Sequence, residues 1–132
     1  MLMSAFYGLL RPLDEIQAYR LDPRDKAGTV LPLKLWKPVI SKWLQPHAVL
    51  VLASDEYGEM LDLPEAVTIE FLKDGRRMPS MAAKKLRGQL ARQIIDARIT
   101  ERETVRELSL EGFRFDGESP DGRSWYFSQK ER

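Results

Sequence analysis

Cysteine is absent from the 132 residues, and histidine occurs once, at His47. Without thiols there is no disulfide framework, no thiolate nucleophile and no thiolate metal site. A single imidazole leaves little for acid–base or metal chemistry, and His47, just after Pro46 and before an apolar run, reads as a loop residue. No apolar run approaches the roughly 20 residues of a membrane span. The opening MLMSAFYGLLRPLDE lacks the basic n-region and small-residue cleavage site of a signal peptide. Nucleophile-elbow, phosphate-loop and zinc signatures are missing as well. Excess charge is scarce too: 21 Lys and Arg against 20 Asp and Glu leave +1, which excludes a generic polycation. The expectation is a cytoplasmic protein with no membrane contact, no resident metal and no cofactor.

What is present suits one globular domain over residues 1–132. Apolar residues make up 43%, with five Met, three Trp, four Tyr and five Phe to fill a core; Trp36, Trp43 and Trp125 are expected there. Charge is unevenly placed. Between His47 and Glu70 stand six acidic residues and no Lys or Arg; between Lys73 and Arg98 stand eight basic residues against Asp74 and Asp96. Such asymmetry either focuses a field on one surface or marks two solvated faces that pair with each other.

The element pattern is α+β, a mixed sheet with helices packed on it. Residues 33–44 read as a helix with Leu35, Trp36, Val39, Ile40, Trp43 and Leu44 on one broad face. Residues 48–53 (AVLVLA) read as a doubly buried strand, followed by a short helix capped by Ser54 and running to about Leu61. Residues 67–72 form a second strand, and Lys73-Asp74-Gly75 a hairpin turn. A helix over 81–98, capped by Ser80, places Ala83, Leu86, Leu90, Ile94 and Ala97 on one face. Thr100-Glu101-Arg102-Glu103 reads as a capping box opening another helix. Two strands, 112–115 and 124–127, close the chain.

Four stretches carry a resemblance. They are Ser4-Ala5-Phe6-Tyr7-Gly8-Leu9-Leu10-Arg11-Pro12-Leu13-Asp14 with Tyr19-Arg20 downstream; Leu52-Ala53-Ser54-Asp55-Glu56-Tyr57; Ala83-Lys84-Lys85-Leu86-Arg87-Gly88 running on to Ile94-Ile95; and Glu111-Gly112-Phe113. In order and spacing they are similar to the YaaA peroxide-stress family, from about Ser4 to Gln129. In that family the Tyr-Gly-x-Leu-Arg-Pro block lies mid-chain, after a sizeable N-terminal region. Here it begins at Ser4, so the resemblance is to the later half of the family fold. Halving a sheet-based fold exposes edge strands and apolar surface, so a homodimer, or a partner chain supplying the N-terminal region, is expected. The resemblance further implies a role in limiting free iron and oxidative DNA damage, with DNA, duplex or branched, bound in a basic cleft.

The candidate anion or nucleic-acid surface is the basic helix, with Lys84, Lys85, Arg87, Gly88 and Arg92, joined by Arg11 and Arg20. A helical glycine costs about 1 kcal/mol relative to alanine, which makes sense where a backbone or phosphate approaches closely. The bland alternative is a set of surface charges paired to the chain's own carboxylates, with Gly88 easing helix packing. A possible pocket comprises Tyr7, Ser54, Asp55, Glu56 and Tyr57. There the acidic pair either does acid–base or hard-cation chemistry or simply complements a helix terminus. Arg11 either clamps a phosphate beside aromatics or pairs with Asp14 or Asp55. No catalytic residue is identifiable. An enzyme acting on a nucleotide or nucleobase through Arg11, Ser54, Asp55, Glu56, Lys84 and Arg87 is the second reading.

Overall fold

Ser4 turns the chain back on itself. Its Oγ accepts the backbone N–H groups of Phe6 (3.2 Å) and Tyr7 (3.0 Å), so β1 (Leu2–Ser4) and β2 (Gly8–Leu10) pair antiparallel with Ser4 opposite Gly8. Arg11-Pro12-Leu13-Asp14 then forms a turn closed by Asp14 N–H to the Arg11 carbonyl (3.1 Å), with proline at the position whose φ it presets. Residues 15–20 continue without regular structure. Helix α1 (Pro32–Leu44) starts on Pro32, where the missing N–H costs nothing. Helix α2 (Asp55–Gly58) is one turn long, shorter than expected. Ser54 sits at its N-cap position, but the side chain makes no capping bond.

This computed structural model describes residues 1–130 and divides into two compact units. The first holds Met1–His47 and Ser54–Leu63; the second holds Ala48–Ala53 and the chain from Pro64 onward.

The second unit is a six-stranded mixed sheet. Its strands are β3 (Leu50–Val51), β4 (Val67–Lys73), β5 (Arg76–Arg77), β6 (Ser109–Leu110), β7 (Phe113–Glu118) and β8 (Ser124–Gln129). The order is β3-β4-β8-β7-β6, with β5 paired to β4. β4 runs parallel to both β3 and β8; the other pairs are antiparallel. Strict alternation along β4 sends Val67, Ile69 and Phe71 into the core. Leu86 and Leu90 of α3 (Ser80–Asp96) cover them, joined by Val105, Leu110, Phe113, Trp125 and Phe127. Two hairpins rest on residues with positive φ. Asp74 (49°) and Gly75 (77°) link β4 to β5; Glu111 (48°) and Gly112 (82°) link β6 to β7.

Several expectations need correction. Trp43 is not core: it is 53% exposed, as are Leu35 (52%) and Val39 (56%), while Ile40 is buried. The apolar stripe of α1 is real, but only part of it is covered. Ser80 is the first helical residue of α3 and Pro79 its N-cap. The capping box at Thr100 does not form; Glu101 precedes a 3₁₀ helix, Arg102–Glu107, with no side-chain cap. The buried strand at 48–53 shrinks to two residues. Ala97, expected on the inner face of α3, is an exposed C-cap.

Candidate functional site

The cations of α3 come first. Core packing of Leu86 and Leu90 turns positions 81, 84, 85, 88, 92 and 95 outward, and all six are exposed. Lys85 Nζ lies 3.5 Å from Glu111 Oε1, and Arg92 Nε donates to Asp96 Oδ2 at 3.0 Å. Both pairs stand in solvent, the Lys85 and Arg92 side chains being 68% and 74% exposed; such pairs contribute only about 0–1 kcal/mol. Gln89 also donates to Glu111 at 3.2 Å. That bond first, and the Lys85 charge second, hold the Glu111 carboxyl below its usual range. Arg87 is set apart: half-buried, it donates from Nη1 to the Ala53 carbonyl at 3.0 Å and so pins the end of the β3 segment. Lys84 shows no partner among the described residues. Gly88 meets nothing: a β-carbon there would find no atom within 4 Å. Helix packing therefore does not account for it.

The first unit holds the other candidates. Arg11 is clamped by Asp14, whose carboxylate accepts the Arg11 backbone N–H (2.7 Å) and its Nε (2.9 Å), with Nη2 at 2.8 Å. This arginine is exposed, and its partner is the nearer of the two anticipated. The guanidinium hydrogen bond, before all else, lowers the Asp14 pKa. The Tyr7 hydroxyl oxygen accepts the Gln17 N–H (3.0 Å), and Tyr19 bonds Ser4 Oγ (2.5 Å). Their rings pack with Phe6 at centroid distances of 4.8 to 5.8 Å. The aromatics are thus engaged with one another. Arg20 is exposed with no partner among the described residues. Tyr7, Arg11 and Asp14 line a groove of about 440 Å³ whose other walls include Met1, Trp36, Val39 and Trp43.

Ser54, Asp55, Glu56 and Tyr57 belong to the same unit as Arg11, whereas Lys84 and Arg87 belong to the other. Glu56 lies 3.8 Å from Arg24, which binds Glu59 at 2.5 Å. Burial, then the nearby Tyr19, Asp22 and Glu56, push the Tyr57 phenol up. Arg24 was not anticipated; a polar Asp-Pro-Arg-Asp loop carries no sign that its arginine will reach a segment 35 residues on. Arg102 and Arg106 were equally unforeseen. Arg102 donates to the Val49 (3.0 Å) and Glu65 (2.8 Å) carbonyls, and Arg106 sits 4.3 Å over the Trp125 ring. Among the described residues, no group of three or more His, Asp or Glu side chains is placed to hold a metal ion. None of the described helices is long and apolar enough to cross a membrane.

A family model described as peroxide stress protein YaaA matches residues 1–119. The chain belongs to this family. Among curated YaaA-family relatives, the UPF0246 protein of Flavobacterium johnsoniae is 33% identical, covering 97% of this chain and 57% of its own length. That of Desulforapulum autotrophicum is 31% identical over 98% and 56%, and that of Caulobacter vibrioides 36% over 97% and 57%. The chain thus spans a little over half the length of these relatives.

Proposed function

We propose that the chain serves the peroxide-stress response by binding DNA, duplex or branched, along the outer face of α3, and so helps to limit iron-driven oxidative damage. The observation that carries this reading is Gly88. It is exposed, faces open space, and lies between Lys84 and Lys85 on one side and Arg92 on the other. An exposed helical glycine lowers stability by about 1 kcal/mol, and no internal contact repays it. Close approach by an outside backbone or phosphate is the use that fits. The family description supports the setting of peroxide stress. The available metal donors, carboxylates and one imidazole, discriminate poorly among hard cations; for that reason the reading rests on nucleic acid rather than on iron storage.

The carboxylates of Glu111 and Asp96 share that face and compete with phosphate for Lys85 and Arg92. Competition gives the proposal a two-sided test, by fluorescence anisotropy on a short duplex and a branched junction at several salt concentrations. Lys84→Glu with Lys85→Glu should weaken binding and reduce the salt slope by roughly 0.9 per lost phosphate contact. Asp96→Asn with Glu111→Gln should strengthen it. Affinity that ignores both pairs of substitutions would falsify the α3 surface.

A further inference from the structure

The two units differ in how they treat apolar side chains. The large buried cluster lies in the second unit, whereas the first buries Ala5, Ile40 and Met60. In the first, Leu35, Val39 and Trp43 follow one another at four-residue spacing on α1 and are 52–56% exposed, which puts them on one stripe. Met1, beside β1, is exposed to the same degree (57%). Val39, Trp43 and Met1 also wall the groove of about 440 Å³. β1 and β2 make a sheet of two three-residue strands, a unit that is marginal by itself. No third strand pairs with it among the described residues. An exposed apolar groove of this kind, shared by Met1, Val39 and Trp43 beside open strand edges, has the character of a protein contact.

The relatives suggest an occupant for that contact. Each matches nearly all of this chain, yet more than two-fifths of its own length lies outside the match. We propose that the α1 stripe and the β1–β2 sheet are the seat of that remaining polypeptide, which lays apolar side chains into the groove and adds a strand to the open sheet. Charge argues against a second copy of this chain as occupant. Helix α1 carries Lys34, Lys37 and Lys42 and no acidic residue, so a two-fold self-contact would bring like charges together. A segment whose apolar residues are rimmed by carboxylates fits instead.

The test takes the unmatched portions of the three relatives, each produced as a separate polypeptide, and titrates them against this chain. The expected result is a one-to-one complex by light scattering, a blue shift of tryptophan emission, and slowed amide exchange at Leu2–Ser4. Val39→Asp and Trp43→Asp, both at exposed positions, should weaken the complex at least about 30-fold. Ile95→Asp, on exposed α3 surface (67%), should leave it unchanged. Failure of all three polypeptides to bind overturns the proposal. So does binding indifferent to Val39→Asp, or a homodimer of this chain that the same substitution dissolves.

Discussion

The indole of Trp36 lies so close to Gly8 that a β-carbon at position 8 would come within 2.8 Å of two ring carbons. Gly8 has φ +79°, and the same indole donates from Nε1 to the Ala5 carbonyl at 2.8 Å. The Ser4 turn, the β1–β2 pair and α1 are thereby locked by one aromatic side chain. Gly8→Ala adds both a steric clash and left-handed backbone strain, together about 2–4 kcal/mol. Urea unfolding followed by tryptophan emission should show this. In a Trp36→Leu background the clash is relieved, so the added cost of Gly8→Ala should fall to the backbone part, about 1–2 kcal/mol.

Arg98 offers the opposite sign. Helix α3 ends with Ile99 N–H bonding the Ile94 carbonyl and Arg98 N–H the Ile95 carbonyl, both at 3.1 Å. That is a Schellman arrangement, and it holds Arg98 at φ +50°. Glycine adopts this conformation without the β-carbon penalty. Arg98→Gly should therefore stabilise the chain by roughly 1 kcal/mol, read as a higher thermal midpoint. A lower midpoint would mean that the Arg98 side chain makes a contribution the backbone does not reveal.

Arg102 joins the segments that enter β3 and β4 through its bonds to the Val49 and Glu65 carbonyls. Its guanidinium also lies 6.0 Å from the Trp125 ring centroid. Arg102→Met keeps much of the stem but removes both hydrogen bonds; the Val49 carbonyl keeps the Val67 N–H (3.0 Å), so the loss is that of two charge-assisted bonds, about 2 kcal/mol. Arg106→Met removes the cation 4.3 Å over Trp125 and the bond to Glu118 at 3.3 Å; about 1 kcal/mol is expected. Equal losses from the two would show that the carbonyl bonds are not what matters.

The family, the α+β class and the position of the basic helix were legible because each rests on local pattern. β4 shows its period of two, α3 its Leu86–Leu90 stripe, and Asp74-Gly75 its turn chemistry. Three things were not legible. Amphipathicity told which face of α1 is apolar but not whether anything covers it, so Trp43 was misplaced. Capping signals at Ser80 and Thr100 compete with the proline at 79 and with the short 3₁₀ course of 102–107, and the backbone followed these instead. At the candidate site, the Arg92–Asp96 pair was readable as an i, i+4 contact. Glu111 reaches Lys85 and Gln89 only because the β6–β7 hairpin, built on a glutamate in the left-handed region, brings it there.

Acid should weaken the fold in a defined direction. Asp14, Glu59, Glu111 and Asp121 are all held below their ordinary carboxylate pKa values, by hydrogen bonds first of all from Arg11, Arg24, Gln89 and Ser119 respectively. A carboxyl that is more acidic when folded adds stability above its unfolded pKa, about 4. That contribution disappears as pH falls through the lower folded value. The urea midpoint should therefore be flat with respect to these four groups at neutral pH and drop below about pH 4. Glu59, Glu111 and Asp121 are exposed and Asp14 is partly so, and added salt should blunt the part that is charge attraction, chiefly at Glu111, where the Lys85 charge is the second cause. Asp121→Asn should remove the share held by the Ser119 hydroxyl and the Arg123 N–H (3.0 Å) without altering the salt response. A midpoint that rises on acidification would contradict the sign for the whole set.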